Sequence, residues 1–196
     1  MIKNNTDYAY EVFDELEIKN DIVRLSNFDG CKFVSCNFSE TQFFECKFTD
    51  CEFKNSNLSL LKLTKSKFIE TDFKNCKLTG VNWTSLNWSS FNLTAPIFFE
   101  SCDISFSVFS SLELEEVSFE DCIAHDVDFS ECNLKGADFH KTDLKDARFV
   151  LCKLDNCNFQ EAINYSINPL ENSIEGAKFN SPEVLSLLTA FNIRID

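Results

Sequence analysis

The sequence predicts an all-β solenoid, in which short strands and sharp turns form coils that stack into one elongated domain. Large apolar residues recur every five positions from Phe13 to Phe98 and again from Ile104 to Phe159, and 16 of the 22 Phe residues occupy these centres. A small residue usually stands two positions before each centre, so both side chains point to one side of an extended segment. The other positions are mostly polar. A period of five fits neither a helix nor a long strand, so the chain must turn after each short strand.

Stacking of such coils explains how the repeat becomes stable. Coils about 4.8 Å apart pair their backbone groups with those of the neighbouring coils. Phe then packs on Phe inside the stack, where each buried aromatic side chain contributes roughly 2 to 3 kcal/mol. A single coil cannot bury its apolar side chains, so the fold depends on repetition.

The repeat units resemble those of the pentapeptide-repeat family. Residues 137–141 (ADFHK) and 132–136 (CNLKG) match its pattern of a small residue, Asp or Asn, Leu or Phe, and two variable residues. The resemblance covers roughly residues 11–162. It implies a right-handed quadrilateral β-helix with four pentapeptides per coil, in which the small residue and the centre point inward.

The chain divides into three predicted segments. Residues 1–10 form an N-terminal lead-in, residues 11–180 form the β-helix, and residues 181–196 form a C-terminal helix and strand that act as a dimerisation cap. Within the β-helix we expect a one-residue register slip near residues 99–103, because Phe98 and Ile104 are six residues apart. Such an added residue acts like a bulge and bends the stack locally.

Two tryptophans precede the expected slip. Trp83 and Trp88 occupy consecutive centres, and the bulky Leu86 and Phe91 occupy positions that are normally small. This pattern predicts a locally swollen coil with repacked side chains.

Cysteine placement predicts buried free thiols. Every cysteine stands at the small inward position of a repeat unit, where Ser and Thr substitute freely elsewhere in the chain. Disulfide frameworks are typical of short secreted chains, and the spacing here matches no zinc motif. We therefore predict neither disulfides nor a metal site at Cys31, Cys36, Cys46, Cys51, Cys76, Cys102, Cys122, Cys132, Cys152 and Cys157.

No pattern in the sequence indicates an enzyme. His125 and His140 fall on outward positions, which predicts solvated surface residues, and no catalytic dyad or phosphate-binding glycine loop is present. We predict no catalytic residue, no metal and no cofactor. The N-terminal stretch lacks the apolar segment of a signal peptide, and no apolar run is long enough to span a membrane. These features favour a cytoplasmic protein without a membrane partner.

Charge is concentrated in the second half of the chain. The formal net charge is −14; residues 1–98 contain 13 acids and 11 bases, whereas residues 99–196 contain 19 acids and 7 bases. No Lys or Arg occurs between Glu100 and Glu131. This density approaches that of duplex DNA and disfavours direct binding of nucleic acid. The predicted partner-binding carboxylates are Glu113, Glu115, Glu116, Glu120, Asp121, Asp126, Asp128, Glu131, Asp138, Asp143 and Asp146.

The tail departs from the repeat and is predicted to cap the solenoid. Ser181 is a favourable N-cap and Pro182 suits the first position of a short helix that runs to about residue 191. Residues 193–195 alternate like a strand and offer an unpaired edge. The predicted dimerisation residues are Val184, Leu187, Leu188, Phe191, Ile193 and Ile195. A hydrophobic plug on a monomer is the alternative.

This tail is similar to that of Qnr-type quinolone-resistance proteins and microcin-immunity pentapeptide proteins. The resemblance implies a head-to-head homodimer that mimics DNA, binds DNA gyrase or topoisomerase IV, and protects the enzyme from a toxin or inhibitor. Qnr-type relatives carry projecting loops between repeats, whereas a one-residue slip favours the loopless immunity type. Because one fold serves many functions, the alternative is an interaction scaffold or effector unrelated to topoisomerases.

Overall fold

The structure, a computed structural model, describes residues 2–88 and 97–193. These residues form short strands joined by turns, together with two 3₁₀ helices at Trp83–Ser85 and Glu183–Phe191. The strands are β1 (Asp7–Ala9), β2 (Val12–Asp14), β3 (Ile22–Arg24), β4 (Asn27–Asp29), β5 (Lys32–Val34), β6 (Gln42–Phe44), β7 (Lys47–Thr49), β8 (Glu52–Lys54), β9 (Lys62–Thr64), β10 (Lys67–Ile69), β11 (Thr71–Lys74), β12 (Ile97–Glu100), β13 (Ser118–Glu120), β14 (Asn158–Phe159) and β15 (Lys178–Phe179).

The chain forms a right-handed quadrilateral β-helix, as predicted. Strands pair in parallel with the strand one coil away, for example Phe28 with Phe48, twenty residues on. The first face contains β1, β4, β7 and β10, and the second contains β2, β5, β8, β11, β12 and β13. Isolated bridges such as Glu17 to Asn37 connect the third face, and β3, β6 and β9 form the fourth. Each coil therefore uses four repeat units.

Stacked aromatic rings fill the core. On the second face, nine rings form one column with centroids 4.4 to 5.3 Å apart. This arrangement follows from the parallel in-register pairing, which places each centre directly above the centre of the previous coil. The column consists of Phe13, Phe33, Phe53, Phe73, Phe99, Phe119, Phe139, Phe159 and Phe179.

The corners between faces use a conformation that the sequence did not reveal. The second residue after the centre is left-handed in nearly every unit, as at Leu60 (φ 57°) and Glu116 (φ 59°). Most of these residues have a side chain, although the conformation favours glycine. At Gly30 a Cβ atom would stand 2.5 Å from the ring of Tyr10, so the Tyr10 side chain would have to move. The corner side chains consequently project outward and form the ridges of the solenoid.

The predicted register slip is wrong in place and size. Phe99, not Phe98, is fully buried and pairs with Phe73, 26 residues earlier. From Phe99 to Ile104 the regular spacing of five continues. The coil from Phe73 to Phe99 therefore contains six residues more than the twenty of a regular coil. Residues 89–96 of this coil lie outside the described part. The expected resemblance to the loopless immunity type rested on a one-residue slip, and the six additional residues remove this reason for it.

The two tryptophans differ in burial. Trp83 is fully buried and stacks on Phe109 with centroids 5.5 Å apart. Trp88 is only partly buried, and its Nε1 donates to the carbonyl of Trp83 at 2.9 Å. Leu86 is buried as predicted, whereas the prediction for Phe91 lies outside the described residues.

The C-terminal helix is a 3₁₀ helix, and Ser181 does not cap it. Pro182 occupies the N-cap position without a side-chain hydrogen bond, and the amide of Val184 donates to the carbonyl of Asn180 at 3.0 Å. Because side chains three residues apart eclipse in a 3₁₀ helix, Val184 and Leu187 face the core. Of the predicted dimerisation residues, Leu188 and Phe191 lie on a different side of the helix.

Candidate partner-binding surfaces

The predicted carboxylates wind around one coil and continue into the next. Glu113, Glu115 and Glu116 follow the first face, whereas Glu120 and Asp121 follow the second face from the end of β13. The chain then follows the third face near Asp126 and the fourth face from Asp128 to Glu131. The structure thus brings these side chains together as a girdle around the solenoid.

Eight of the eleven predicted carboxylate residues are exposed. They occupy outward positions on either side of a buried centre, or corners where the left-handed backbone points the side chain into solvent. Corner residues such as Asp126 and Asp146 stand one above the other on successive coils. We name these eight residues the acidic belt: Glu113, Glu115, Glu116, Glu120, Asp121, Asp126, Glu131 and Asp146.

The three remaining aspartates are half-buried and stabilise turns. Asp128, Asp138 and Asp143 each stand immediately before a centre and accept a hydrogen bond from the backbone amide two residues later, at 2.9 to 3.2 Å. Asp138 also accepts from Asn158 Nδ2 at 3.0 Å. Such Asx turns satisfy backbone donors next to the strand. These three side chains therefore have a structural function that the sequence prediction did not separate from partner binding.

Local partners lower the pKa of two of these aspartates. Burial pushes the pKa of Asp128 upward, but hydrogen bonds from Ser130 and the charge of Arg148, 3.9 Å away, lower it below the usual range. Burial opposes the same change at Asp143, whose pKa is lowered by hydrogen bonds from Asn164 and from His125 at 2.8 Å. Both groups stay ionised and are locally paired, so they contribute less free charge than the belt.

Neutral groups, rather than cations, hold the belt in place. Asn133 is buried, and its Nδ2 donates to Glu113 Oε2 and to Glu115 Oε1, each at 2.7 Å. Ser111 donates to Glu131 at 3.1 Å. Among the described residues, no Lys, Arg or His lies within 4.0 Å of a belt carboxylate as an ion pair. The belt is therefore an ordered and uncompensated negative surface.

The C-terminal cap presents an apolar stripe. Leu187 is buried, whereas Leu188 is half-buried and Phe191 is 50% exposed. Leu185 and Ile193 are exposed as well. Leu185, Leu188 and Phe191 are three residues apart and align on the outer side of the 3₁₀ helix. Of the predicted dimerisation residues, Val184 and Leu187 instead pack inward, and Ile195 lies outside the described residues.

All ten cysteines are buried and free, which confirms the predicted thiols. Cys132 Sγ donates to the carbonyl of Phe109 in the preceding coil at 3.0 Å, and the other thiols make similar contacts. Burial raises the pKa of Cys51 to about 12, so the thiol remains protonated and unreactive near neutral pH. Among the described residues, no group of His, Cys, Asp or Glu is arranged to hold a metal ion.

The two histidines are less solvated than predicted. His125 lies against Asp143, and His140 Nδ1 contacts the carbonyl of Gln160 at 2.9 Å. Both side chains are half-buried between coils. Their polar partners are Asp143, 18 residues after His125, and Gln160, twenty residues after His140. In the part of the chain that the structure describes, no helix is long and apolar enough to cross a bilayer.

Comparison with protein families agrees with the repeat. A family model described as "Pentapeptide repeat region" matches residues 26–95, and one described as "Pentapeptide repeats (8 copies)" matches residues 113–149 and 125–161. Together these matches cover about three fifths of the chain. No curated protein matches the chain significantly in sequence.

Solved structures share the fold at low sequence identity. A trypsin-treated form of QnrB1, a plasmid-mediated fluoroquinolone resistance protein, is 14% identical with a TM-score of 0.77, over 97% of this chain and 98% of QnrB1. Full-length QnrB1 is also 14% identical, with a TM-score of 0.62 over 95% of this chain and 100% of QnrB1. These similarities show that the chain shares the fold of QnrB1.

Proposed function

The chain belongs to the pentapeptide-repeat family, and we propose that it is a non-catalytic DNA mimic that binds DNA gyrase or topoisomerase IV. In this proposal the acidic belt occupies the surface on which the enzyme normally receives DNA, and occupation protects the enzyme from a toxin or an inhibitor. The protein acts without a cofactor and in the cytoplasm. The proposal is supported by the similarity of the fold to that of QnrB1, a fluoroquinolone resistance protein.

The linear charge density is the observation that carries the proposal. Residues 99–179 contain 17 Asp and Glu and 6 Lys and Arg. They span four coil intervals from Phe99 to Phe179, or about 19 Å at the strand spacing. The result is about one net negative charge per 1.7 Å, the density of duplex DNA. A cationic surface built for DNA would therefore meet a similar field.

Rigidity of the belt strengthens the mimicry. Asn133 fixes Glu113 and Glu115, and the left-handed corners fix the directions of Glu116, Asp121 and Asp126. Ordered carboxylates lose less conformational entropy on binding than flexible ones. Phosphates on a duplex are likewise fixed in position, so the solenoid replaces one ordered array of anions by another.

Dimerisation through the cap would double this surface. The outer stripe of Leu185, Leu188, Phe191 and Ile193 is apolar and accessible. A head-to-head dimer covers the stripe and joins the two acidic halves in the middle of one rod. The two acidic halves then form one continuous anionic segment, whereas the less acidic N-terminal halves extend outward.

A supercoiling assay with purified DNA gyrase tests the proposal. We expect the wild-type protein to alter supercoiling, or to protect gyrase from a gyrase-directed inhibitor, at micromolar concentration. A fourfold variant with Glu115, Glu116, Glu120 and Asp121 changed to Lys should lose the effect. A matched variant with Asp14, Glu15, Glu17 and Asp29 changed to Lys has the same net charge and should retain it. No effect of the wild-type protein at tens of micromolar contradicts the proposal.

A further inference from the structure

A cluster of cations lies on the opposite half of the solenoid, where the first and fourth faces meet. Lys47 on β7 and Lys67 on β10 are register partners on adjacent parallel strands. Lys62 on β9 and Lys65 at the following corner belong to the same coil as Lys67. With Arg24 at the end of β3, these five residues form what we call the basic patch.

The patch is not neutralised by its surroundings. Lys65 pairs with Glu45 at 3.3 Å. The other four cations have no ion pair within 4.0 Å among the described residues, and the segment 89–96 contains no Asp or Glu. Lys74 on the second face contrasts with them, because Asp72, Glu52 and Glu100 all lie within 3.9 Å of its ammonium group. Lysines without an ion pair within 4.0 Å also occur elsewhere among the described residues. Lys32 and Lys77 are examples, but they stand in register with Glu52 and Asp103, whereas Lys47 and Lys67 stand in register with each other.

The cations of the patch repel one another, and contact with an aromatic ring offsets part of this repulsion. Like charges directly opposite each other on paired strands are destabilising, yet Lys47 and Lys67 occupy such positions. Arg24 and Lys65 lie over the ring of half-buried Phe44, 5.4 and 5.9 Å from its centroid. The aromatic ring attracts both cations and holds them beside the lysines. An anionic partner would reduce the repulsion between Lys47 and Lys67 and so stabilise this arrangement.

We propose that the basic patch binds the phosphate backbone of duplex DNA. Lysine is depleted at the centres of protein–protein interfaces, whereas Lys and Arg supply phosphate contacts. Four unpaired cations within two coils match a polymer with closely spaced anions. This inference goes beyond the proposed function and does not depend on it.

Distance and salt weaken the effect of the acidic belt on this contact. On the first face, Lys67 and Glu113 are two coils apart, or about 10 Å. The Debye length at physiological ionic strength is about 8 Å, so the field of the belt is reduced at the patch. The protein would then present a DNA-like surface to the enzyme at one end and hold DNA at the other.

Fluorescence anisotropy with a fluorescein-labelled duplex of about 20 base pairs tests the proposal. Four phosphate contacts predict a slope of about −3.6 in log affinity against log salt, so affinity should fall about 150-fold between 50 and 200 mM salt. The triple variant Lys47→Glu, Lys62→Glu, Lys67→Glu should lose at least about 100-fold in affinity. A control triple with the same net charge, Lys32→Glu, Lys54→Glu, Lys77→Glu, should stay within about threefold of wild type.

Three results would overturn the inference. The first is an unchanged anisotropy for the wild type up to 100 µM protein at 50 mM salt. The second is an equal loss of affinity in both triple variants. The third is self-association in sedimentation experiments, without DNA binding, that only the patch variant abolishes, since the partner would then be a second copy of the chain. If the Glu variant does not fold by circular dichroism, the triple Lys→Gln variant replaces it, with an expected loss of about tenfold.

Discussion

The rings of Phe73 and Phe99 stack with their centroids 5.3 Å apart, although 26 residues separate them along the chain. All the remaining steps between stacked rings in this column cover twenty residues. The aromatic column therefore continues without interruption across this longer coil. This contact connects the less acidic half of the solenoid to the acidic half.

Replacement of Phe99 should destabilise the protein far more than replacement of its neighbour Phe98. Phe99 is fully buried between Phe73 and Phe119, so Phe99→Ala should cost about 3 to 5 kcal/mol of unfolding free energy. Phe98 is only partly buried, and Phe98→Ala should cost about 1 kcal/mol or less. Urea denaturation of both variants measures the difference, and a larger effect at Phe98 would contradict the register.

The sequence was sufficient to predict most core positions, but not the 26-residue step from Phe73 to Phe99. The five-residue period predicted the centres on both sides, since 16 of the 22 Phe residues occupy positions that share this period. At Phe98 and Phe99, two adjacent aromatic residues satisfy the pattern equally well. Stacking on Phe73, a contact across 26 residues, decides between them. A local pattern contains no information about such a contact.

The acidic surface was predictable in place but not in detail. Composition identified the coil from Glu113 to Glu131, and the fold confirms that it girdles the solenoid. The sequence did not distinguish Asp128 and Asp138, which stabilise turns, from exposed belt residues, although their position immediately before a centre is a usable signal. The basic patch required the twenty-residue register, which places Lys47 beside Lys67.

Reversal of one lysine in the patch should stabilise the free protein. In Lys67→Glu the new carboxylate faces Lys47, which replaces a like-charge pair by an attractive one. We expect a gain of about 0.5 kcal/mol at low salt, or roughly 1 to 2 °C in Tm. Differential scanning fluorimetry at 20 and 500 mM salt measures the change, which should diminish at high salt.

Lys77→Glu is the matched control for that reversal. Lys77 pairs in register with Asp103 on the third face, so the new carboxylate meets a like charge. Its Tm should fall by a similar amount. Shifts of the same sign in both variants would show that the local pairing does not determine the effect.

Buried thiols should make stability fall at high pH. Burial raises the pKa of Cys51, Cys132 and Cys157 to about 12 from an ordinary value near 9. Their contribution is fully present below pH 9 and is lost between pH 9 and 12, because only the unfolded chain ionises there. Each thiol changes the unfolding free energy by up to about 1.4 kcal/mol per pH unit in this window.

A serine variant isolates this dependence. The triple change Cys51→Ser, Cys132→Ser, Cys157→Ser removes the ionisable group and keeps a small hydrogen-bonding side chain, as Ser56 and Ser66 do at equivalent positions. Urea denaturation at pH 8, 9.5 and 10.5 should give a shallower decline for the variant than for wild type. Parallel declines would exclude the thiols as the cause.

The two sides of the C-terminal helix should respond differently to mutation. Leu188→Asp places a charge on the outer stripe and should convert the proposed dimer to a monomer while Tm changes little at low concentration. Leu187 is buried, so Leu187→Ala should instead lower stability by about 2 to 3 kcal/mol. Light scattering measures the mass of each variant. A dimer mass for Leu188→Asp would contradict the proposed interface, and so would a monomer mass for the wild type.

Competition between this protein and duplex DNA for purified DNA gyrase tests the DNA-mimic proposal most directly. Binding of the labelled protein to immobilised gyrase is measured with increasing duplex, in the Lys47→Glu, Lys62→Glu, Lys67→Glu background so that the basic patch does not capture the competitor. DNA mimicry predicts that duplex DNA displaces the protein completely and that the belt variant with Glu115, Glu116, Glu120 and Asp121 changed to Lys does not bind. Binding that persists at saturating duplex, or that survives reversal of the belt, would contradict it.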